Sequence, residues 1–429
     1  MCDPSPPEFS PFAIGGEGLF SSDPGAVSVR VEAEALALKN NPQVSVARLT
    51  ALASQQVTRQ VRSNLWPTAV ANLTGVDSRD NSRITAGGLN NPIIYQRAAA
   101  GATVSQLITD FGHTTNLVSS ANFAAKAEDQ NARATTEQIL LAADQAFYGA
   151  LQAHAVLTVA QQTVAARQTV ADQVDALFKS KLKSQLDFSF ANVNLAQAKL
   201  LLLDAEDNEN AALANLSAVL GYPTVQNFQL VEDTTAITSP PGNVDDVISE
   251  ALATRPEILA LRFQYQSAQR FQTAERDLLF PTIRAVGVVG DTPVRNPVLS
   301  NWYGAVGVNI EIPLFNGFQY TARAREASFR EQATQDCLLD LQNRISRDVR
   351  TSWPNANTAY QRVSVTRQLL DQATLALDLA QTRYSLGLSS IVELSQAQLQ
   401  QTQAQISNAQ AGYDYRLALA VVRYQTTGI

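Results

Sequence analysis

The chain has 429 residues, 45% of them hydrophobic, enough for two or three ordinary domains with sizeable cores. Only 17% are charged and the net charge is −7, which argues against a nucleic-acid surface, since such surfaces neutralise phosphates with Lys and Arg. No apolar run reaches the ~18 to 20 residues of a membrane-spanning helix; Leu200-Leu201-Leu202-Leu203 is the densest cluster, and Asp204 ends it.

Residues 1–30 begin Met1-Cys2-Asp3-Pro4-Ser5-Pro6-Pro7 and read as a proline-rich tail without an apolar leader. Export would therefore imply a chain that starts after processing. A first unit, 31–222, opens with a helix ending its first phrase at Ala-Leu-Lys-Asn-Asn-Pro42 and carries a strand hairpin over about 65–110. It then holds a helical run: from His113 to Leu220 there is no proline and one glycine, Gly149. The segment 223–244, with Pro240-Pro241-Gly242, is a linker. A second unit, 245–429, repeats the plan with a hairpin over about 280–313 and helices in which Pro354 is the single proline after Phe318.

The repetition is explicit. Pro42 and Pro256 lie 214 residues apart, as do Trp66-Pro67 and Phe280-Pro281. Gly112 and Gly317 lie 205 apart, and Lys181 and Gly387 lie 206 apart, so the second copy is nine residues shorter between Pro281 and Gly317. Four anchors in one order mean a duplication of about 200 residues.

The helices show apolar stripes at helical spacing, Val365, Leu369, Ala373, Ala376 and Ala380, with Leu370, Leu377 and Tyr384 at heptad distance, as in coiled coils. In the hairpins the period changes to two. Val306, Val308, Ile310 and Ile312 alternate with Ala305, Gly307, Asn309 and Glu311; Ile283, Ala285, Gly287 and Val289 form a weaker row, and Ala102, Val104, Gln106 and Ile108 a weaker one again. Polar loops such as Asp77 to Asn81 join the strands. About ten residues is the length of a tilted bilayer-crossing strand, and Trp66, Tyr95, Phe280, Trp302 and Tyr303 sit near strand ends, where interfacial aromatics belong. Four strands cannot close a barrel, so a membrane reading requires several chains to share one.

Cys2 and Cys337 are the only cysteines, and His113 and His154 the only histidines. They are too few and too scattered for a metal or redox site, and the histidines read as packing or surface residues. With no catalytic constellation or phosphate loop, the expectation is no enzyme, no cofactor and no metal.

These features together resemble the TolC family of outer-membrane efflux ducts: the doubled Asn-Pro and Arg-Pro helix starts, the Trp66-Pro67 and Phe280-Pro281 strand entries, Ile312-Pro313-Leu314-Phe315-Asn316-Gly317, and Tyr384-Ser385-Leu386-Gly387-Leu388-Ser389-Ser390-Ile391-Val392-Glu393. The resemblance implies an α+β membrane protein of the Gram-negative outer membrane. In a homotrimer, four strands per chain would make a twelve-stranded barrel continuous with a periplasmic α-helical coiled-coil barrel.

It implies a passive exit duct for an inner-membrane transporter, reached through a periplasmic adaptor protein. Helical tips near 180–186 and 385–391 would form the gate, with Asp187, Tyr384, Ser389, Glu393 and Gln396 at the constriction. Lys181, Leu182, Ser184, Gly387, Leu388 and Ser390 would dock the adaptor. Ser389 stands where the family places an arginine of the closing clamp, Gln396 replaces a second acid, and Lys181 replaces the glycine of the first tip. The lost clamp leaves hydrogen bonds or the Lys179, Lys181 and Lys183 cluster to hold closure; a solvated helix end is the plainer reading of those lysines. Cys2 before a proline-rich stretch is similar to the acylated start of lipid-anchored members. A soluble coiled-coil scaffold is the alternative, and efflux of drugs or metals and secretion of proteins are both compatible with the sequence.

Overall fold

The computed structural model describes residues 30–77, 97–226, 228–231, 237–240, 242–292 and 300–426. Cys2, Tyr95 and all but Asp77 of the Asp77–Asn81 loop lie outside them. The elements are α1 (Arg30–Asn40), α2 (Pro42–Ser63), β1 (Thr68–Val76), β2 (Arg97–Thr109), α3 (His113–Lys179) and α4 (Gln185–Val219). Then come α5 (Val244–Thr254), α6 (Pro256–Asp277), β3 (Thr282–Asp291), β4 (Trp302–Glu311), α7 (Gln319–Ser385) and α8 (Ile391–Thr426). One order, two helices, two strands, two helices, occurs twice.

Local chemistry accounts for the starts and stops. Pro42 and Pro256 each occupy the first turn of a helix, where a missing N–H costs nothing. Asn41 caps α2 by accepting from the Gln43 N–H at 2.9 Å. Arg255 makes no such cap. Its guanidinium instead holds Glu257 at 2.8 Å and donates to Gln425 Oε1 at 2.6 Å, so the two matched helix starts are held by different interactions.

Helices α3 and α7 are 67 residues each, about 100 Å at 1.5 Å per residue, and Pro354 sits inside α7 without ending it. Both begin and end 206 residues apart. The consecutive left-handed residues just before them are Phe111 and Gly112 in the first copy, Gly317 and Phe318 in the second. The backbone thus equates Phe111 with Gly317, one residue away from the match of Gly112 with Gly317 that the sequence suggests. The net shortening is 214 to 206, eight residues rather than nine. The connection 292–301 has 10 residues against 20 in 77–96, and a longer path from β4 to α7 restores part of the difference.

The buried residues along the lower part of α7 correct the sequence stripe. Thr366, Ala373, Ala380 and Tyr384 are buried, and Leu370 and Leu377 half-buried, giving alternating steps of three and four. Val365, Leu369 and Ala376 are exposed on another face. Periodicity alone admits both stripes because α7 is apolar on more than one side; packing within the chain selects the heptad seam.

The chain divides into two compact units that draw on both copies. Among the described residues, one gathers those of 30–40, 142–238 and 363–414, and the other those of 41–141, 239–362 and 415–426. In the second, Val247, Ile248, Ala251 and Ile258 of α5 and α6 bury against Ile345 and Val349 of α7.

The strands, in that same unit, form one antiparallel sheet in the order β1-β2-β3-β4. Partners in the register share a face. Leu73, Ala100, Val289, Gly304 and Val306 therefore lie on the same side as Val104, Ile283, Ala285, Gly287, Val308 and Ile310. Thr68, Asn72, Thr74, Thr103, Ser105, Arg284, Asn309 and Glu311 take the other. Three alternating rows read separately in sequence thus align into one mostly apolar face, which also carries Gln106 and Asp291, while the opposite face mixes these polar residues with Val70, Leu107, Val286 and Val288. Ile108 lies at a bulge where the β2–β3 register shifts between Leu107 and Thr109. Leu73, Val306, Val308 and Ile310 on the mostly apolar face are exposed, Val306 by 91%, with nothing packed over them among the described residues.

Candidate functional site: the helical tips

The other compact unit ends in two helical turns. Residues 180–184 join α3 to α4 and 386–390 join α7 to α8. Both turns close by the same pair of backbone bonds: Lys181 N–H to Phe178 C=O at 2.9 Å with Leu182 N–H to Leu177 C=O at 2.9 Å, and Gly387 N–H to Tyr384 C=O at 3.1 Å with Leu388 N–H to Arg383 C=O at 2.8 Å. This is the Schellman pattern, and it requires a left-handed residue at its centre. Gly387 supplies it at φ 74° without cost; Lys181 adopts φ 59°. The first tip therefore has the same conformation as the second despite lacking the glycine. Lys181→Gly is expected to stabilise the protein by about 1 kcal/mol by removing the Cβ strain, read as a raised midpoint in denaturant.

Beneath the turns, Val174, Ala191, Leu195, Ala380, Tyr384, Ile391 and Leu394 form a buried cluster. Phe178 stacks on Phe188 with ring centres 5.2 Å apart. The equivalents of this pair 206 residues on are Tyr384 and Leu394, so the second copy gains a phenol hydroxyl at a buried position. That hydroxyl donates to Asp187 Oδ1, on the helix of the other copy, at a long 3.5 Å.

Asp187 is fixed first by its own helix. It stands at the third position of α4 in a capping box with Ser184: Ser184 N–H reaches Oδ2 at 3.0 Å, the Ser184 hydroxyl donates to Oδ2 at 2.6 Å, and the Asp187 N–H reaches Ser184 Oγ at 3.2 Å. Burial raises its pKa, but the bonds from Ser184, the charge of Lys183 and the bond from Tyr384 outweigh it and hold the carboxyl below its ordinary range. Burial first, and then Asp187, push the Tyr384 phenol up to about 12.

Lys183 completes this group, with Nζ 3.9 Å from the centre of the Tyr384 ring. The lysine cluster thus resolves into three roles. Lys179 pairs with Asp175 at 2.7 Å, Lys183 covers Tyr384, and Lys181 is exposed at the turn. Ser389, at the position read as a lost arginine, has a buried Oγ with no partner among the described residues. The cation beside the Tyr384–Asp187 pair comes instead from the first tip, where it falls one residue before an N-cap serine.

Glu393 and Gln396 are exposed near the start of α8, outside this group. Glu393 lies 3.6 Å from Arg383 Nε, a pair that sequence reading did not identify although Arg383 adjoins Tyr384. Leu182, Leu386 and Leu388 are 71%, 68% and 67% exposed, so the turns present leucines to solvent beside Ser184, Gly387 and Ser390. His113 Nδ1 lies 2.8 Å from the Ala274 carbonyl and His154 Nδ1 2.6 Å from Glu209, both in helix-to-helix contacts.

The chain thus combines a sheet whose outer strands have no partner among the described residues with two helical hairpins of matched turns. Residues 35–222 and 247–424 match the family described as Outer membrane efflux protein. The chain is 25% identical over 422 residues to outer membrane protein TolC of Vibrio cholerae, covering 93% of this chain and 92% of that one. It is 22% identical to the alkaline protease secretion protein AprF of Pseudomonas aeruginosa, over 91% of this chain and 82% of that one. The solved CmeC outer membrane channel of Campylobacter jejuni superposes with a TM-score of 0.81 at 16% identity, over 93% of this chain and 85% of that one. The chain belongs to the outer membrane efflux protein family. It is an outer-membrane exit duct with four bilayer-crossing strands and a long periplasmic helical part.

Proposed function

We propose that three copies of this chain assemble into the working duct, and that its periplasmic mouth is held shut by Asp187, Tyr384 and Lys183. The observation that carries the first part is the sheet itself. The outer edges of β1 and β4 have no partner strand among the described residues, and unsatisfied strand edges in lipid cost several kcal/mol per group. Pairing β4 of one copy with β1 of the next removes every edge, and three four-stranded sheets make a twelve-stranded barrel with the Val306 face to lipid and the Asn309 face to the lumen. Twelve strands leave room for an aqueous channel.

The two sequence copies, 31–222 and 245–429, would build the wall in pseudo-symmetric pairs, with 223–244 as the link between them. A periplasmic adaptor protein would dock at the tips, with Lys181, Leu182 and Ser184 on one and Gly387, Leu388 and Ser390 on the other. An inner-membrane transporter behind it would supply the energy. The protein itself does no chemistry and conducts passively. The similarity to AprF, an alkaline protease secretion protein, favours protein secretion as one setting for such a duct.

Glu393 sets the charge of the constriction, partly neutralised by Arg383 at 3.6 Å. Arg383→Ala is therefore expected to increase cation preference in planar bilayers and Glu393→Ala to reduce it. Reversal potentials unchanged in both variants would remove the pair from the constriction. The assembly is tested by the mass of the detergent-solubilised protein: a trimer is expected, and a monodisperse monomer that inserts and conducts would overturn it.

A further inference from the structure

The buried seam of α3 runs Leu157, Ala160, Val164, Arg167, Ala171, Val174 and Phe178, in alternating steps of three and four. Arg167 occupies a slot built for an apolar side chain, and its counterpart in α7, 206 residues on, is the buried Ala373. The two copies differ here by a full charge. Arg167 is only 8% exposed. Its Nη2 donates to the Gln398 carbonyl at 2.8 Å and to Thr402 Oγ1 at 3.1 Å, while Nε and Nη1 have no partner among the described residues.

No carboxylate lines either of the two clefts that Arg167 borders. Burial alone accounts for its pKa falling to about 10, which agrees with the absence of a nearby acid among the described residues. A guanidinium withdrawn from water without a counter-charge is unfavourable. A hydrogen-bonding role alone would have been met by Gln, without that cost.

The larger cleft, about 470 Å³ between α3, α4 and α8, adds Asn194, Gln197, Gln403 and Ser407 as neutral donors, with Leu201 and Ile406 as apolar wall. We propose that it is a binding site for an organic carboxylate, whose carboxyl group accepts from Nε or Nη1 of Arg167 and whose apolar body lies along Leu201 and Ile406. The size suits a small amphipathic molecule, and the permanent charge of the guanidinium calls for an anion such as a carboxylate.

The test uses the full chain in detergent, with octanoate as the probe and octanamide as its uncharged match. Saturable octanoate binding at about one per chain is expected, weakened about tenfold or more in Arg167→Gln, with octanamide not bound. Arg167→Gln also removes the bonds to Gln398 and Thr402, so Ser407→Trp serves as the second variant: it fills the cleft, leaves those bonds, and should abolish binding without lowering the melting temperature. Equal uptake by the wild-type chain and both variants would mean partition into detergent and would overturn the proposal. So would failure to bind octanoate in a trimer that Arg167→Gln dissociates, which would give the pairing to an acid of a second copy.

Discussion

Val306→Arg is expected to destabilise the membrane-inserted protein by about 2–4 kcal/mol, because it places a charge at the middle of a bilayer-crossing strand on the face that meets hydrocarbon. Ala305→Arg, one residue earlier, should cost far less. The contrast follows from the register: Val306 pairs with Gly287 on the mostly apolar face and Ala305 with Val288 on the opposite one, which also carries Arg284, Asn309 and Glu311. In the proposed barrel an arginine at 305 would point to an aqueous lumen and keep its hydration. The yield of folded, protease-resistant protein in outer-membrane fractions separates the two variants. Equal yields would contradict the assignment of the faces, since a one-residue difference is what reverses side-chain direction in a strand.

Loss of the tip clamp should produce the second large effect. Asp187→Ala is expected to raise the open fraction or conductance in planar bilayers several-fold, and Lys183→Ala to do the same in part. Tyr384→Phe, which keeps the ring under Lys183 and loses only a 3.5 Å bond, should have the smallest effect. The pH dependence has two ends. Asp187 has a depressed pKa in the folded protein, so its contribution is present above the ordinary carboxylate value and lost as pH falls through the folded one. Tyr384 is raised to about 12, so its neutral donor is retained below the ordinary phenol value and lost as pH rises through 12. The clamp should hold across the neutral range and fail at strong acid in the wild type but not further in Asp187→Ala. A wild-type conductance that rises between pH 6 and 8 would place the controlling group elsewhere.

Much of this protein was legible without coordinates, because its plan is written in local signals repeated twice. Proline at a helix start, glycine at a turn and a change of period from 3.6 to two are properties of short segments. They locate the hairpins, the long helices and the tip turns at 180–184 and 386–390. The doubled pattern and its order carried the resemblance to the family. Where two stripes on α7 were equally periodic, the pattern could not choose, and Val365 and Leu369 fell on the exposed face.

What the sequence alone determined, then, was the order and kind of the elements and the positions where the copies differ, since these depend on residues near one another in the chain. The tertiary structure decided everything that depends on meeting across it. It set the register that gathers three weak alternations into one mostly apolar face. It showed that Lys181 adopts the left-handed turn of Gly387, and that Lys183 reaches Tyr384 where an arginine was missed. It placed Arg167 in a seam with no acid beside it among the described residues. A side chain's partner is fixed by distances between segments up to 235 residues apart, as for Arg167 and Thr402, and no local pattern encodes those distances.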